Sequence, residues 1–367
     1  MPDTVRTGAL LSEFEPKRLA WRSRGRLARG KITILDGDPG LGKSTMLTDW
    51  IAKITTGRDL PDAPYGHDNK ERGVILISAE DDPSDTIVPR LLAAGGDPSN
   101  VLLLNEVPLR NNEGQGVTDL DGSPKNEWFG LPDHIGVLED AVKHMEAGLI
   151  VIDPMMAFLS EGVKSNSDQD IRQALSPLAK MAQRTGVSIV LVRHLNKSGG
   201  VNALYRGGGS IGIIGLARIG LLLGRPKDQP DLRVLASVKN NIGPTAPSLG
   251  FKLQSVPGTD VALMEYIGEV AYTAHDILEG DLTSESEQDE RDEAMIWLEE
   301  FLAAGPRNSK DIFTEGKRAS ISTNALRIAK TKMGVVANKQ GFQGAWTWEL
   351  APKDPGLEQK GLYDEAF

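Results

Sequence analysis

Short apolar runs alternate with stretches of helical periodicity through the first two hundred residues. The runs at Lys31–Leu35, Gly73–Ser78, Val101–Leu104, Leu149–Asp153 and Ser188–Val192 are rich in Val, Ile and Leu and lack polar alternation. That pattern predicts strands buried on both faces. Between them, Thr45–Thr56 and residues 84–94, 135–147 and 169–185 read as helices, the first stopped by Gly57. Alternating strands and helices predict an α/β fold, a mostly parallel sheet with helices on both faces. After residue 200 the pattern changes. Strands at about 217–224, 232–239, 251–255 and 261–267 follow one another without long helices, predicting an antiparallel extension at one edge. Residues 1–30, with Trp21 and several arginines, form a lead-in beside the first strand. Leu60–Arg72 and residues 159–168 read as loops. The polar, glycine-rich stretch 105–135 is too long for a plain connection and predicts a surface excursion or hairpin.

A second pattern occupies the C-terminal part. A helix over about 288–303 carries apolar Ala294, Ile296, Trp297, Phe301 and Leu302, and a second spans about 309–317. Ser322 then caps a third, Thr323–Met333, closed by Gly334. Val335–Asn338, a turn at Gly341 and Gly344, and Ala345–Leu350 make a hairpin whose Trp346 and Trp348 share a face. Three helices and a hairpin in this order predict a small winged helix-turn-helix domain. Charge supports the division. Residues 279–300 hold ten acids against Arg291, whereas residues 306–345 hold eight basic residues against two acids. The expected organisation is a core over 1–278, an acidic linker over 279–287 and a winged helix over 288–367. Arg327, Lys330 and Lys332 along the third helix are candidates for nucleic-acid contact.

Composition narrows the class. The chain has 367 residues, 40% apolar and 25% charged, which suits a globular protein of two or three domains. With no cysteine, disulfides, thiolate metal sites and cysteine nucleophiles are excluded. A net charge of −10 argues against indiscriminate coating of nucleic acid. The first residues have no apolar core of a signal peptide, and the longest apolar runs, near 149–159 and 211–224, are short or interrupted. A cytoplasmic chain without a membrane partner is expected.

The chemistry begins at Gly37-Asp38-Pro39-Gly40-Leu41-Gly42-Lys43-Ser44, which fits G-x-x-x-x-G-K-[ST] and lies between a strand and a helix. Glycines let backbone N–H groups turn inward, and the helix start at Thr45 adds partial positive charge. Lys43 is placed to reach β- and γ-phosphates, and Ser44 to take one Mg2+ position. Leu149–Asp153 is an apolar strand ending in an acid, so Asp153 is the second candidate for Mg2+. Pro154 follows it, leaving no adjacent glutamate to position water. Glu80, ending the strand after the phosphate-loop helix, is the better candidate, and His194 ends another strand of the same edge.

In order, GDPGLGKS, SAEDD, LIVIDP, VRHLNKSGG and YRGGGSIGIIGLAR resemble the RecA/DnaB superfamily of P-loop ATPases, and within it the RepA-like ATPases of plasmids, phages and integrated elements. The resemblance covers roughly residues 15–270. It implies a RecA-type core and ATP hydrolysis at the interfaces of a homo-oligomeric ring or filament, a hexamer being expected. Glu80 is implied as the catalytic glutamate and His194 as the γ-phosphate sensor. It also implies a cation reaching the neighbour's ATP, for which Arg206 and Lys239 are the candidates. Lys239-Asn240-Asn241 departs from the K-N-R pattern of several relatives. The loops Leu159–Asp168 and Asn196–Ser210 correspond to loops that face single-stranded DNA, and they offer Lys164, Lys197 and Arg206, with Tyr205 as the one aromatic.

The expectation is an ATP- and Mg2+-dependent DNA motor, a replicative helicase of a mobile or phage-type replicon. An ATP-dependent loader or DNA-binding regulator is the rival. A small-molecule P-loop kinase fits less well, because no acceptor-binding lid is evident.

Overall fold

The computed structural model describes residues 9–61, 71–111, 115–119, 121–195, 211–281, 285–303, 305–319, 321–339 and 346–350. Lys197, Tyr205, Arg206, most of the Leu60–Arg72 loop and the turn at Gly341 and Gly344 lie outside the described residues. The chain divides into two compact units, Met1–Asp281 and Leu282–Phe367.

The first unit opens with a hairpin, β1 (Trp21–Ser23) and β2 (Leu27–Ala28), whose Leu27 and Ala28 are fully buried. Then come β3 (Ile32–Asp36), α1 (Lys43–Thr55), β4 (Gly73–Ser78) and α2 (Val88–Ala93). Gly57 closes α1 at φ +71°. The expected helix over 84–94 begins instead as a π-helical turn, Pro83–Ile87. Pro89, at the start of α2, has no N–H to give to an α-helical ladder, and the wider turn accommodates it. β5 (Val101–Leu103), β6 (Glu106–Pro108), β7 (Asn126–Trp128), α3 (Ile135–His144), β8 (Ala147–Asp153), α4 (Asp168–Thr185) and β9 (Ser188–Arg193) follow. β6 and β7 pair antiparallel, so the long polar stretch is a hairpin excursion. α5 (Ile211–Leu216), β10 (Ile219–Gly224), β11 (Leu232–Asn240), β12 (Ser248–Ser255), β13 (Ala262–Val270) and α6 (Ala274–Asp281) complete the unit.

The main sheet runs β13-β12-β11-β10-β3-β9-β8-β4-β5. Strands β10 through β5 in that order are parallel and β11–β13 antiparallel. Period-two alternation divides the core in two. Ile32, Ile34, Ile189 and Leu191 pack with α3, α4 and α5, while Leu35, Val190 and Val192 pack with α1 and α2. This is a RecA-like α/β architecture.

One expectation is corrected. The strand foreseen at 217–224 does not belong to the antiparallel extension. β10 lies parallel to β3, with Ile219 opposite Thr33, and α5 is the crossover that makes this possible. Two glycines in six residues hide α5 from a propensity reading, but burial of Ile213 and Ile214 holds it against the sheet. The extension starts one strand later, at β11.

The second unit comprises α7 (Glu285–Leu302), β14 (Arg307–Asn308), α8 (Ser309–Arg318), α9 (Thr323–Lys332), β15 (Val336–Lys339) and β16 (Trp346–Glu349). Its antiparallel sheet has the order β14-β16-β15. The acidic stretch 279–287 spans the end of α6 and the start of α7, so helix flanks residues 282–284. Ser322 Oγ accepts the Ala325 N–H at 3.1 Å, capping α9 as expected. Leu298, rather than Ile296, fills the core from α7, because Ile296 is 61% exposed. Trp348 is buried edge-on against Phe313 at 5.3 Å, whereas Trp346 is exposed. No helix among the described residues is long and apolar enough to cross a membrane.

Because α5 is held by burial and not by propensity, its substitutions should split. Ile213→Ala should cost about 2–5 kcal/mol in urea unfolding. Gly215→Ala, at an exposed position facing only the movable Arg172 side chain, should be neutral or stabilising by about 0.5–1 kcal/mol. Equal effects from both would mean that packing does not hold the helix.

Candidate active site

The carboxyl ends of β3, β4, β8 and β9 converge on one edge of the sheet, bringing Asp36, Ser78, Asp153 and Arg193 to one crevice. β3 feeds straight into the loop from Gly37 to Gly42. A side-chain carbon at Gly37 would lie 2.5 Å from the Leu223 carbonyl of β10, so only glycine lets the loop pass. Gly42 adopts φ +89°, the left-handed region, where the chain turns into α1. Leu41 is buried in the apolar layer beneath and pins the loop, while Pro39 and Gly40 stay exposed above it. Asp38 and Thr45 flank the turn, half-buried. The result is a backbone bowl at a helix N-terminus, which suits a chain of phosphates.

Lys43 folds back across this bowl. Its Nζ donates to the Gly37 and Asp38 carbonyls at 2.8 Å each and lies 3.4 Å from His194 Nδ1. Burial lowers its pKa, and Asp153, Asp38, Glu80 and Asp36 oppose that shift. Ser44 Oγ donates to Asp153 Oδ2 at 2.8 Å. Burial raises the Asp153 pKa, while the Ser44 hydrogen bond works against it. A hydroxyl and a carboxylate side by side are hard oxygen donors of the class Mg2+ takes, so the pair fits that ion.

The acidic cluster after β4 resolves into three roles. Glu80 Oε1 meets His194 Nε2 at 3.3 Å. Asp81 pairs with Arg90 at 2.9 Å, and Asp82 caps the π-helical turn through the Ser84 and Asp85 N–H groups. Of the three, Glu80 reaches Lys43 and His194, while Asp81, with Arg90, lines a pocket beside Ser44 and Asp153.

Sequence reasoning overlooked Asp36 and Arg193. They form a two-pronged ion pair, Nε to Oδ1 at 2.9 Å and a terminal nitrogen to Oδ2 at 2.8 Å, with both side chains 1% exposed. Burial raises the Asp36 pKa and Arg193 opposes it. The signal was available: two apolar strands each end on a charge, of opposite sign, one residue before Gly37 and one before His194.

The remaining candidates lie elsewhere. Lys239 Nζ donates to the Ile214 and Ala217 carbonyls at 2.5 and 2.9 Å, at the end of α5. Arg218 stands in register beside Asn241, whose N–H donates to the Arg218 carbonyl at 3.0 Å. Together with Lys31 and Lys180 it lines a recess of about 290 Å3 at the edge where β3 and β10 begin. Among the described residues none of these three side chains has an acidic partner. Lys164 is exposed in the loop before α4. In the second unit, the Arg327 guanidinium lies 5.9 Å from the Phe313 ring and Lys330 Nζ 4.9 Å from the Trp348 ring. Lys332 falls about 140° around the helix from Arg327, so it does not share their face.

Comparison with known proteins bears on this site. A family model described as an AAA domain matches residues 1–200, more than half of the chain. The DNA repair protein RadA of Brucella abortus is 24% identical over 223 residues, 60% of this chain and 39% of that protein. RadA of Halalkalibacterium halodurans is 24% identical and that of Bacillus subtilis 23%, each over 179 residues, 48% of this chain and 30% of the relative. The matched stretch spans between 30 and 39% of these curated relatives.

Removing Arg193 should leave Asp36 buried and uncompensated. Arg193→Ala should lose about 3–5 kcal/mol in chemical unfolding, with Asp36→Asn combined with Arg193→Met losing much less. A loss below about 1 kcal/mol for Arg193→Ala would show that the pair does not hold the two strand ends.

Proposed function

This chain belongs to the AAA domain family, and from that premise we propose that it is an ATP-hydrolysing motor acting on DNA as a ring of its own copies, a replicative helicase of the RepA-like type. The observation that carries the reading is the convergence of Lys43, the Ser44–Asp153 pair and the Glu80–His194 pair on the bowl that opens from β3. DNA as the track is supported by the relatives' names, DNA repair protein RadA, and by the basic stretch 306–345 within the second unit.

In this reading the backbone of Gly37–Thr45 and the Lys43 ammonium hold the phosphates. Ser44 and Asp153 hold Mg2+, which supplies positive charge at the β- and γ-phosphates when bound. Glu80 accepts a hydrogen bond from the attacking water and aligns it. His194, between Glu80 and Lys43, senses whether a γ-phosphate is present and reports through the loop that follows it. A cation from the next copy completes the site. The candidates are Arg206, which lies outside the described residues, Lys239, which donates to the carbonyls that end α5, and Arg218. It stands where Asn241 replaces the arginine of relatives, on the sheet edge opposite the phosphate bowl. That placement suits head-to-tail contact between copies, which closes into rings.

The second unit is read as a winged helix, α9 entering a duplex groove and β15 with β16 forming the wing. The rival reading, a loader or regulator that assembles on DNA without unwinding it, is favoured by this module, because duplex binding needs no translocation. Strand separation measured with and without ATP decides between them.

Glu80→Gln should bind ATP with near-normal affinity yet lose about a hundredfold or more in turnover. Normal turnover would remove Glu80 from the catalytic position. Mixing Lys43→Ala chains with Arg218→Ala chains, each inactive alone, should restore part of the ATPase activity, since one interface class then holds both residues. Absence of rescue in assembled mixtures would rule out Arg218 as the cation supplied between copies. Replacing Arg327 and Lys332 by Ala should weaken duplex binding and flatten its salt dependence by about one unit of log–log slope per lost phosphate contact. An unchanged slope would move DNA contact out of the second unit.

A further inference from the structure

β4 ends at Ser78, two residues before Glu80, and its end is gripped from both sides. On the side of β8, the Ala79 N–H donates to the Asp153 carbonyl at 3.1 Å. On the other side the neighbouring strand runs out. β5 ends at Leu103, and its ladder with β4 closes with the Leu104 N–H on the Leu76 carbonyl at 2.9 Å. The next rung is made by a side chain. Asn105 Oδ1 accepts the Ser78 N–H at 2.9 Å, and Asn105 Nδ2 donates to the Ser78 carbonyl at 2.7 Å. A carboxamide carries one acceptor and one donor in the spacing of a peptide group, so it continues the ladder after the backbone has turned away.

Asn105 is itself held. Leu104 before it and Val107 beyond it are buried, and its carbonyl accepts the Phe129 N–H at 2.8 Å, where the β6–β7 hairpin returns to the core. A second tie joins that return to the loop after Asp153. The Leu131 N–H donates to the Phe158 carbonyl and the Ser160 N–H to the Leu131 carbonyl, each at 2.8 Å. The base of one hairpin thus braces the strand ends that bear Glu80 and Asp153. Glu80 has need of this brace, because its side chain is 56% exposed and its hydrogen-bond partner is His194 at 3.3 Å. A carboxylate with so little packing of its own depends on the backbone that carries it, and a displacement of about 1 Å can cost about a hundredfold in rate. We infer that Asn105 is a positioning residue for hydrolysis, which fixes the height of Glu80 through the end of β4. The inference rests on the reading of Glu80 as the residue that aligns water, and it deepens that reading by naming what holds Glu80 in place.

The test is a double-mutant cycle in steady-state ATP turnover on the full chain. Asn105→Ala should lower kcat about tenfold or more while KM for ATP stays within about twofold of wild type, since the phosphate loop keeps its own supports. In a Glu80→Gln background the same change should alter the residual turnover by less than about twofold, because the group it positions is already gone. Asn105→Asp keeps the shape and the acceptor but loses the donor. It is the variant to use if Asn105→Ala does not fold, and it should show the same dependence on Glu80 with a smaller loss. Equal losses in the wild-type and Glu80→Gln backgrounds would overturn the inference, because a merely structural role lowers both. A kcat within about twofold of wild type in the folded Asn105 variants would overturn it too. Normal turnover by Glu80→Gln alone would instead overturn the reading of Glu80 on which the inference rests, a result distinct from the other two.

Discussion

The Asp36–Arg193 ion pair is the constraint on which the site depends. It sits in the sheet where β3 and β9 end, one residue before the phosphate loop and one before His194. Two charges with almost no contact to water tolerate little separation, because either one left alone would be a charge in a low-dielectric interior. The pair therefore fixes the relative height of the two strand ends, and with it the approach of His194 to Lys43 at 3.4 Å. A hydrophobic pair of similar size would hold the strands as firmly. What it would not supply is a fixed angle, which two parallel hydrogen bonds impose.

Around that anchor the site carries an excess of negative charge. Asp153, Asp38, Glu80 and Asp36 all act on Lys43, the one cation they share. Burial of Asp153 and of Lys43 works against both charges. Such a site favours cationic company, which Mg2+ and a residue from a second copy would bring. Lys31 and Arg218, which immediately precede β3 and β10, and Lys180 of α4 line a recess at the other end of these strands, without an acidic partner among the described residues. In the proposed function these cations would meet the acidic edge of a second copy, which is how hydrolysis would be linked to assembly.

Much of this was legible in the chain. Buried parallel strands announce themselves as unbroken apolar runs, and β4 was readable to the residue. The phosphate loop, Asp153 and the choice of Glu80 follow from the order of strand ends, which period and topology fix. What stayed hidden has physical reasons. α5 is glycine-rich and helical only because the sheet buries it, so β10 was assigned to the wrong part of the sheet. Arg193 was passed over: two apolar strands ending on opposite charges were in view, but nothing local pairs a charge with a partner 157 positions away. Lys239 was a candidate from its motif, but its engagement with α5 depends on that same hidden helix. In the second unit, Ser322 declared its cap, whereas the commitment of Arg327 and Lys330 to aromatic rings needed the packing of Phe313 and Trp348.

The central claim is that nucleotide turnover belongs to an assembly of copies whose cations complete one another's sites. The most direct test is ATP turnover per chain measured over a wide range of protein concentration, alongside the oligomeric state at each concentration. The account expects turnover per chain to be near zero for isolated copies and to rise with the assembled fraction. Full turnover by dilute, monomeric protein would contradict it.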